Sequence, residues 1–284
     1  MGQGQLILGL ALAAGIAHGA LVEETSKTPV EVAMADGTTL KHEIIVTVFR
    51  DDARARAPFV ILNHGRAPTA QGRAELGRAR YSAVSRYLVE KGFTVFVPTR
   101  LGYGDTGGAD IEFPFGRCDQ WEYAATFEAA AVQTLAIVEY ARAKTYVDRS
   151  RGLLLGQSQG GSATIAAAAK SPVGIVAGIN FAGGGGGDPK GRPGRPCGGD
   201  NLKAFFTEMG RQSKLPTLWL YSENDQFWGP DLPLDWYKSY VAAGGKARFV
   251  RLPAHGDNGH DSFTSNIDAW KPAFEEFLKS LGFN

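Results

Sequence analysis

The segment Gly156-Gln157-Ser158-Gln159-Gly160 sets a serine between two glycines, directly after the apolar run Leu153-Leu154-Leu155 and before an alanine-rich stretch. A sharp strand-to-helix turn strains its central residue and tolerates only small neighbours two positions away. Such a turn would lift Ser158 to the positive end of the following helix. A serine hydroxyl is a poor nucleophile until a base takes its proton, and the base must be oriented by an acid. Both partners are found downstream in the order serine, acid, histidine. After the apolar run Leu218 to Tyr221 comes Ser222-Glu223-Asn224-Asp225, with Asp225 as the expected acid and Glu223 as its competitor. After Leu252 comes a loop holding His255 and His260. His260 is the preferred base, because it immediately precedes the last helical stretch and Gly259 lets the loop turn sharply. The chemistry implied is acyl transfer through an activated serine.

Such a reaction needs donors for the oxyanion. The backbone N–H after the nucleophile, on Gln159, is one. The second is expected from Arg66, in the loop Asn63-His64-Gly65-Arg66, where Gly65 allows close approach. His64 reads as a residue that pins this loop, not as a base. His255, Asp257, His260 and Asp261 match no metal-ligand spacing, so no metal site and no cofactor are expected.

These residues need a scaffold. Short apolar runs alternate with helical stretches: strands near 59–62, 93–97, 152–155, 175–181, 218–221 and 247–252, and helices near 81–90, 121–144, 160–169, 202–209, 236–243 and 267–281. An initial hairpin is expected over Glu31 to Arg50, turning at Asp36-Gly37. Alternation of this kind predicts an α/β fold with a mostly parallel central sheet and helices on both faces. In open sheets of this kind the site lies beyond the carboxyl ends of the strands, where Ser158, Asp225 and His260 all fall.

Composition narrows the class. Lys plus Arg number 30 and Asp plus Glu 29, so the net charge of +1 offers no nucleic-acid footprint. Met1 to Ala20 carries no charged side chain. Its apolar stretch Leu6 to Ile16 has the length of a signal-peptide core rather than a membrane span, and Ala17-His18-Gly19 supplies small residues for cleavage. The expected organisation is therefore a cleaved export signal over 1–19 and a single domain over 20–284, with no membrane span once the leader is gone. Glycine is the compositional oddity, at 37 residues. Many follow strand ends, and the run Gly183 to Gly187 has no reason that the sequence supplies.

Taken together, Asn63-His64-Gly65-Arg66, Pro98-Thr99-Arg100-Leu101-Gly102-Tyr103-Gly104, Gly156-Gln157-Ser158-Gln159-Gly160-Gly161, Leu220-Tyr221-Ser222-Glu223-Asn224-Asp225 and Gly259-His260 resemble the α/β-hydrolase fold, in particular the dienelactone hydrolase family and its exported serine relatives. The resemblance spans roughly residues 40–284. It implies Ser158, Asp225 and His260 as nucleophile, acid and base, no separate lid domain, and a small-molecule ester as partner. The namesakes of the family use a cysteine where this chain has Ser158, which favours an ordinary ester over a dienelactone. The longest inserts, Asp105 to Asp119 and the loop after Phe181, each carry one of the two cysteines, Cys118 and Cys197. Export, an even count and their positions after strand ends predict a disulfide across the rim of the site.

Tyr103, Phe113, Phe115, Trp121, Phe227 and Trp228 lie in or beside loops after strands and are expected to contribute a substrate pocket. Arg66, Arg100 and Arg117 are candidates for a substrate carboxylate. Two other classes compete. A serine peptidase of this fold would usually carry a further propeller or lid domain. A non-catalytic binding protein would be expected to have lost a member of the triad.

Overall fold

The structure is a computed structural model that describes residues 19–33, 37–113 and 116–283. The chain opens with a long antiparallel hairpin, β1 (Leu21–Ala33) and β2 (Thr39–Asp51). It continues through β3 (Ala57–Asn63), α1 (Ala70–Ala74), α2 (Ser82–Glu90), β4 (Thr94–Thr99), α3 (Ala124–Arg142), β5 (Val147–Gln157) and α4 (Gln159–Ala169). The last part comprises β6 (Ile175–Phe181), α5 (Gly199–Gln212), β7 (Thr217–Ser222), α6 (Leu232–Ala242), β8 (Ala247–Leu252), α7 (Ser262–Ser265) and α8 (Ile267–Ser280).

One eight-stranded sheet joins them in the order β1-β2-β4-β3-β5-β6-β7-β8. The first two pairings are antiparallel, and every pairing from β4-β3 to β7-β8 is parallel. The crossing from β4 back past β3 to β5 is the reversal of strand order at which open sheets form a crevice. Loops after β3 and β5 meet there.

The inner strands are mostly apolar and buried because both faces are covered, although β5 begins with the polar stretch Asp148 to Arg151. Pleating sends successive side chains to opposite sides. Phe59, Ile61 and Leu154 pack beneath α3, α4, α5 and α6 with Phe127, Ile165, Phe206 and Trp236. Val60, Leu62, Leu153 and Leu155 pack against α2 and α8 with Leu88, Trp270 and Phe274.

The hairpin begins at Leu21, ten residues before the start expected from sequence. Thr25, Lys27 and Thr28 hide the strand because polar and charged residues alternate along an edge strand that pairs on one side only. Residues 34–36 of its turn, Phe115 of the expected pocket and residues 1–18 of the expected leader lie outside the described residues. Among the described residues no helix is long and apolar enough to cross a membrane.

Candidate active site

Ser158 sits between β5 and α4 at φ 56 and ψ −127. This is a left-handed conformation that a residue with a Cβ adopts only under constraint. The constraints are visible. Ser158 N–H donates to Phe181 O at 2.8 Å, and its own carbonyl accepts from Gly161 N–H at 2.8 Å. Side chains cannot replace the flanking glycines: a Cβ on Gly156 would strike the carbonyl of Gly160, and one on Gly160 the carbonyls of Asn63 and His64.

Asp225 and His260 are brought together. Asp225 Oδ2 accepts from His260 Nδ1 at 2.9 Å, and both side chains are buried. Asp225 Oδ1 accepts from the Phe227 and Trp228 amides at 2.8 and 3.2 Å. Asn258 ties the two loops together: its Oδ1 accepts from Gln226 N–H at 2.9 Å and from His260 N–H at 3.1 Å. Phe227 stacks on the imidazole with ring centroids 4.0 Å apart. The competitors lie elsewhere. Glu223 is exposed and accepts from Ala254 N–H, and His255 is held by Asn224 through its backbone. Ser158 and His260 line one cleft without a hydrogen bond between their side chains. Such bonds commonly close only around a substrate.

The loop after β3 reaches Ser158. A Cβ on Gly65 would lie 3.2 Å from Ser158 Cβ. Among the described residues no hydrogen bond is found for the backbone N–H of Arg66 or, as the first residue of α4, for that of Gln159. His64 pins the loop, as expected: its Nε2 accepts from Arg100 N–H at 3.1 Å, which leaves the proton on Nδ1, 2.7 Å from Gly65 O. Burial, reinforced by the charge of Arg100, holds its pKa well below the ordinary value. Tyr81 braces the same loop, accepting from Gly65 N–H at 3.1 Å and donating to Gln157 Oε1 at 2.9 Å.

Behind these groups lies a buried polar cluster that the sequence did not reveal. Arg100 and Glu112 form an ion pair with no exposed side-chain surface, Nε to Oε1 at 2.6 Å and Nη2 to Oε2 at 3.1 Å. Arg100 Nη1 donates to His64 O at 2.8 Å. Glu112 Oε2 accepts from Gln159 Nε2 and from Tyr103 OH, each at 2.9 Å. Tyr103 OH accepts in turn from Arg66 Nη1 at 3.0 Å. One carboxylate thus links Gln159, which follows Ser158, to the loop carrying Arg66. Glu112 lies in an irregular loop with no local pattern to mark it.

Two expectations change here. Arg100 is fully buried by Glu112 and is closed to any substrate, and Tyr103 is a strut under Arg66 rather than a pocket wall. The Arg66 side chain is held by Asp110 at 2.8 and 2.5 Å, and Arg117 is exposed beside Asp119. Burial raises the Asp110 carboxyl, but the hydrogen bonds and charge of Arg66 outweigh it and hold it below the usual range.

Two hollows meet at Ser158. One, of about 420 Å³, is lined by His260, Tyr81, Arg78, Arg80, Gln157 and Asp261, among others. The other, of about 200 Å³, is lined by Phe113, Trp121, Tyr123, Phe227, Trp228 and Gln159, by the charged Arg66, Asp188 and Arg192, and by Gly184 to Gly187 as a wall. The glycine run now has a reason: aromatic rings lie flat against its backbone. A Cβ on Gly184 would come 2.7 Å from Trp228, and one on Gly187 2.6 Å from Phe227. Cys118 and Cys197 form a disulfide that joins the loop before Trp121 to the loop after Gly187. Among the described residues no group of three or more His, Cys, Asp or Glu side chains could hold a metal ion.

The chain has the α/β-hydrolase fold. It superposes on a candidate dienelactone hydrolase from Klebsiella pneumoniae with a TM-score of 0.55 at 15% identity, covering 91% of this chain and 98% of that one. An acetyl xylan esterase from Paenibacillus sp. R4 gives 0.58 at 14% identity, covering 92% of this chain and 89% of that one. An acylaminoacyl peptidase from Pyrococcus horikoshii gives 0.60 at 16% identity, covering 93% of this chain but 42% of the peptidase. No protein-family model matches the chain, and no curated protein matches its sequence.

Proposed function

We propose that the chain is a serine hydrolase that cleaves carboxylic esters through an acyl-enzyme. The observation that carries this reading is the buried Asp225–His260 pair, at 2.9 Å, facing the same cleft as a serine held in a strained turn. Ser158 Oγ attacks the ester carbonyl as His260 Nε2 takes its proton. Asp225 fixes the imidazole with Nδ1 protonated and stabilises the imidazolium. The backbone N–H groups of Gln159 and Arg66 receive the oxyanion. His260 then protonates the departing alkoxide, activates water and returns the proton to Ser158.

The similarity of the fold to esterases agrees with an ester substrate, and a serine at the nucleophile position favours an ordinary ester over a dienelactone. Peptide-bond cleavage is the second reading, prompted by the similarity to acylaminoacyl peptidase, of which the chain spans 42%. We assign residues 20–284 to one catalytic domain. Export behind a cleaved leader over 1–19 accords with the Cys118–Cys197 disulfide, a bond that persists in oxidising compartments; sequencing the N-terminus of the exported protein checks it, and retention of Met1 overturns it.

A fluorophosphonate probe tests the activated serine. Ser158 should be labelled, and Ser158→Ala should abolish labelling and lower ester turnover by about 10⁴-fold or more. Turnover that survives the substitution overturns the assignment.

A further inference from the structure

The two hollows at Ser158 differ in what they offer, and the reaction decides which half of an ester each takes. The bond that breaks joins the acyl carbon to the alcohol oxygen. The departing alkoxide takes the proton that His260 Nε2 received from Ser158. It must therefore leave on the His260 side, within hydrogen-bond reach of the imidazole. His260 lines the larger cleft and not the smaller cavity. Of the two proposed oxyanion donors, Arg66 borders both hollows, and Gln159 lines the smaller cavity and not the larger cleft. The acyl group is thus directed into the smaller cavity, and the alcohol into the cleft.

The chemistry of the two walls follows from their residues. The rings of the smaller cavity have their polar atoms turned away and satisfied. Trp121 Nε1 donates to Gly116 O at 3.0 Å, Trp228 Nε1 to Ala182 O at 2.8 Å, and Tyr123 OH to Cys197 O at 2.5 Å. These rings are left with carbon to offer, the Gly184–Gly187 wall adds no side chain, and Arg66, Asp188 and Arg192 complete the lining with charge. A ring-lined site of this kind favours a flat aromatic guest, through offset or edge contacts. Its size sets the limit: an apolar cavity of ~150 Å³ holds one benzene, and this one is about 200 Å³. The cleft around His260 mixes apolar residues such as Leu76 with Asp261, Gln157 and the Glu23-bound Arg78 and Arg80, and is wider than the ring-lined cavity, so it suits a polar alcohol.

Resting on the ester-hydrolase reading, we propose that the preferred substrates are esters of a compact aromatic acid, with a single ring in the Trp121–Tyr123–Trp228 cavity, and a hydrophilic alcohol in the His260 cleft.

Methyl phenylacetate and benzyl acetate test this directly. They are isomers with unactivated alcohols, and they differ in which side of the ester bears the ring. Methyl phenylacetate should be cleaved with a kcat/KM about tenfold or more above that of benzyl acetate, and above that of methyl octanoate by a similar factor, the range that pocket contacts discriminate. Trp121→Ala should lower the phenylacetate-to-octanoate ratio about fivefold or more. Equal rates for the isomers, preference for benzyl acetate or octanoate, or an unchanged ratio in the variant overturns the proposal. Fluorophosphonate labelling separates the two levels. If Ser158 is labelled while the preference fails or neither isomer is cleaved, the acyl assignment alone falls. If Ser158 is not labelled, the hydrolase reading falls with it.

Discussion

Ser158 is flanked by two buried carboxylates built in opposite ways. Asp225 is held by backbone amides two and three residues ahead of it, and its free oxygen meets one imidazole at 2.9 Å. Glu112 is held by side chains from distant parts of the chain: Arg100, Tyr103, Gln133 and Gln159. The first arrangement leaves a histidine that lines the cleft beside Ser158, where the proposed mechanism has it carry the proton. The second neutralises its charge with a guanidinium and closes every acceptor. On the proposed mechanism one cluster serves proton transfer and the other rigidity, although both bury a carboxylate.

Substitutions on the two sides should therefore have opposite signatures. Asp225→Asn should lower kcat by about 10⁴-fold, because the imidazole is then held in the wrong tautomer, while the melting temperature changes little. Steady-state kinetics and calorimetry on that variant check both halves. Glu112→Gln should reverse the pattern: it leaves Arg100 buried without a counter-charge and should lower stability by about 3–5 kcal/mol, with a smaller loss in kcat. Denaturant unfolding reads the first quantity. If Glu112→Gln is stable but as inactive as Asp225→Asn, the distinction fails.

The loop that carries Tyr103 and Glu112 ends at Cys118. Replacing Cys118 and Cys197 by serine should cost about 2–5 kcal/mol and should raise KM more than it lowers kcat, since it frees a cavity wall and leaves the Asp225–His260 pair in place. A smaller effect comes from His64. Burial and Arg100 keep its pKa well below the ordinary 6.5 in the folded chain. Below pH 6.5 the unfolded chain binds a proton there that the folded chain refuses, so stability falls as pH falls, by up to about 1.4 kcal/mol per pH unit. Melting temperatures between pH 7.5 and 5.5 should show this slope, and His64→Gln should flatten it.

The same contrast explains what the sequence could show. Ser158, Asp225 and His260 are marked locally, by glycines, by the ends of apolar strands and by chain order. β3, β4, β6, β7 and the second half of β5 are marked by apolar runs, because helices cover both faces, whereas the edge strand β8 carries Arg248 and Arg251. Glu112 carries no such mark. Its partners lie 9, 12, 21 and 47 residues away in sequence, and only the folded loop brings them together. Arg100 misleads for the same reason: an arginine after a strand end looks available to a ligand until its buried partner is known. The pentaglycine run shows up in composition, but its cause lies in Tyr123, Phe227 and Trp228, which arrive from other loops.

The glycine wall also limits how this site can diverge. At Gly184, Gly185 and Gly187 any side chain must displace an aromatic ring, and at Gly186 it must also accept a φ of +71. Mutational walks that alter acyl preference are closed on that side. They remain open across the cavity at Trp121, where a ring can be trimmed or exchanged without moving a backbone. Libraries aimed at new acids should therefore yield variants on one wall only, and natural drift in selectivity should leave its record there.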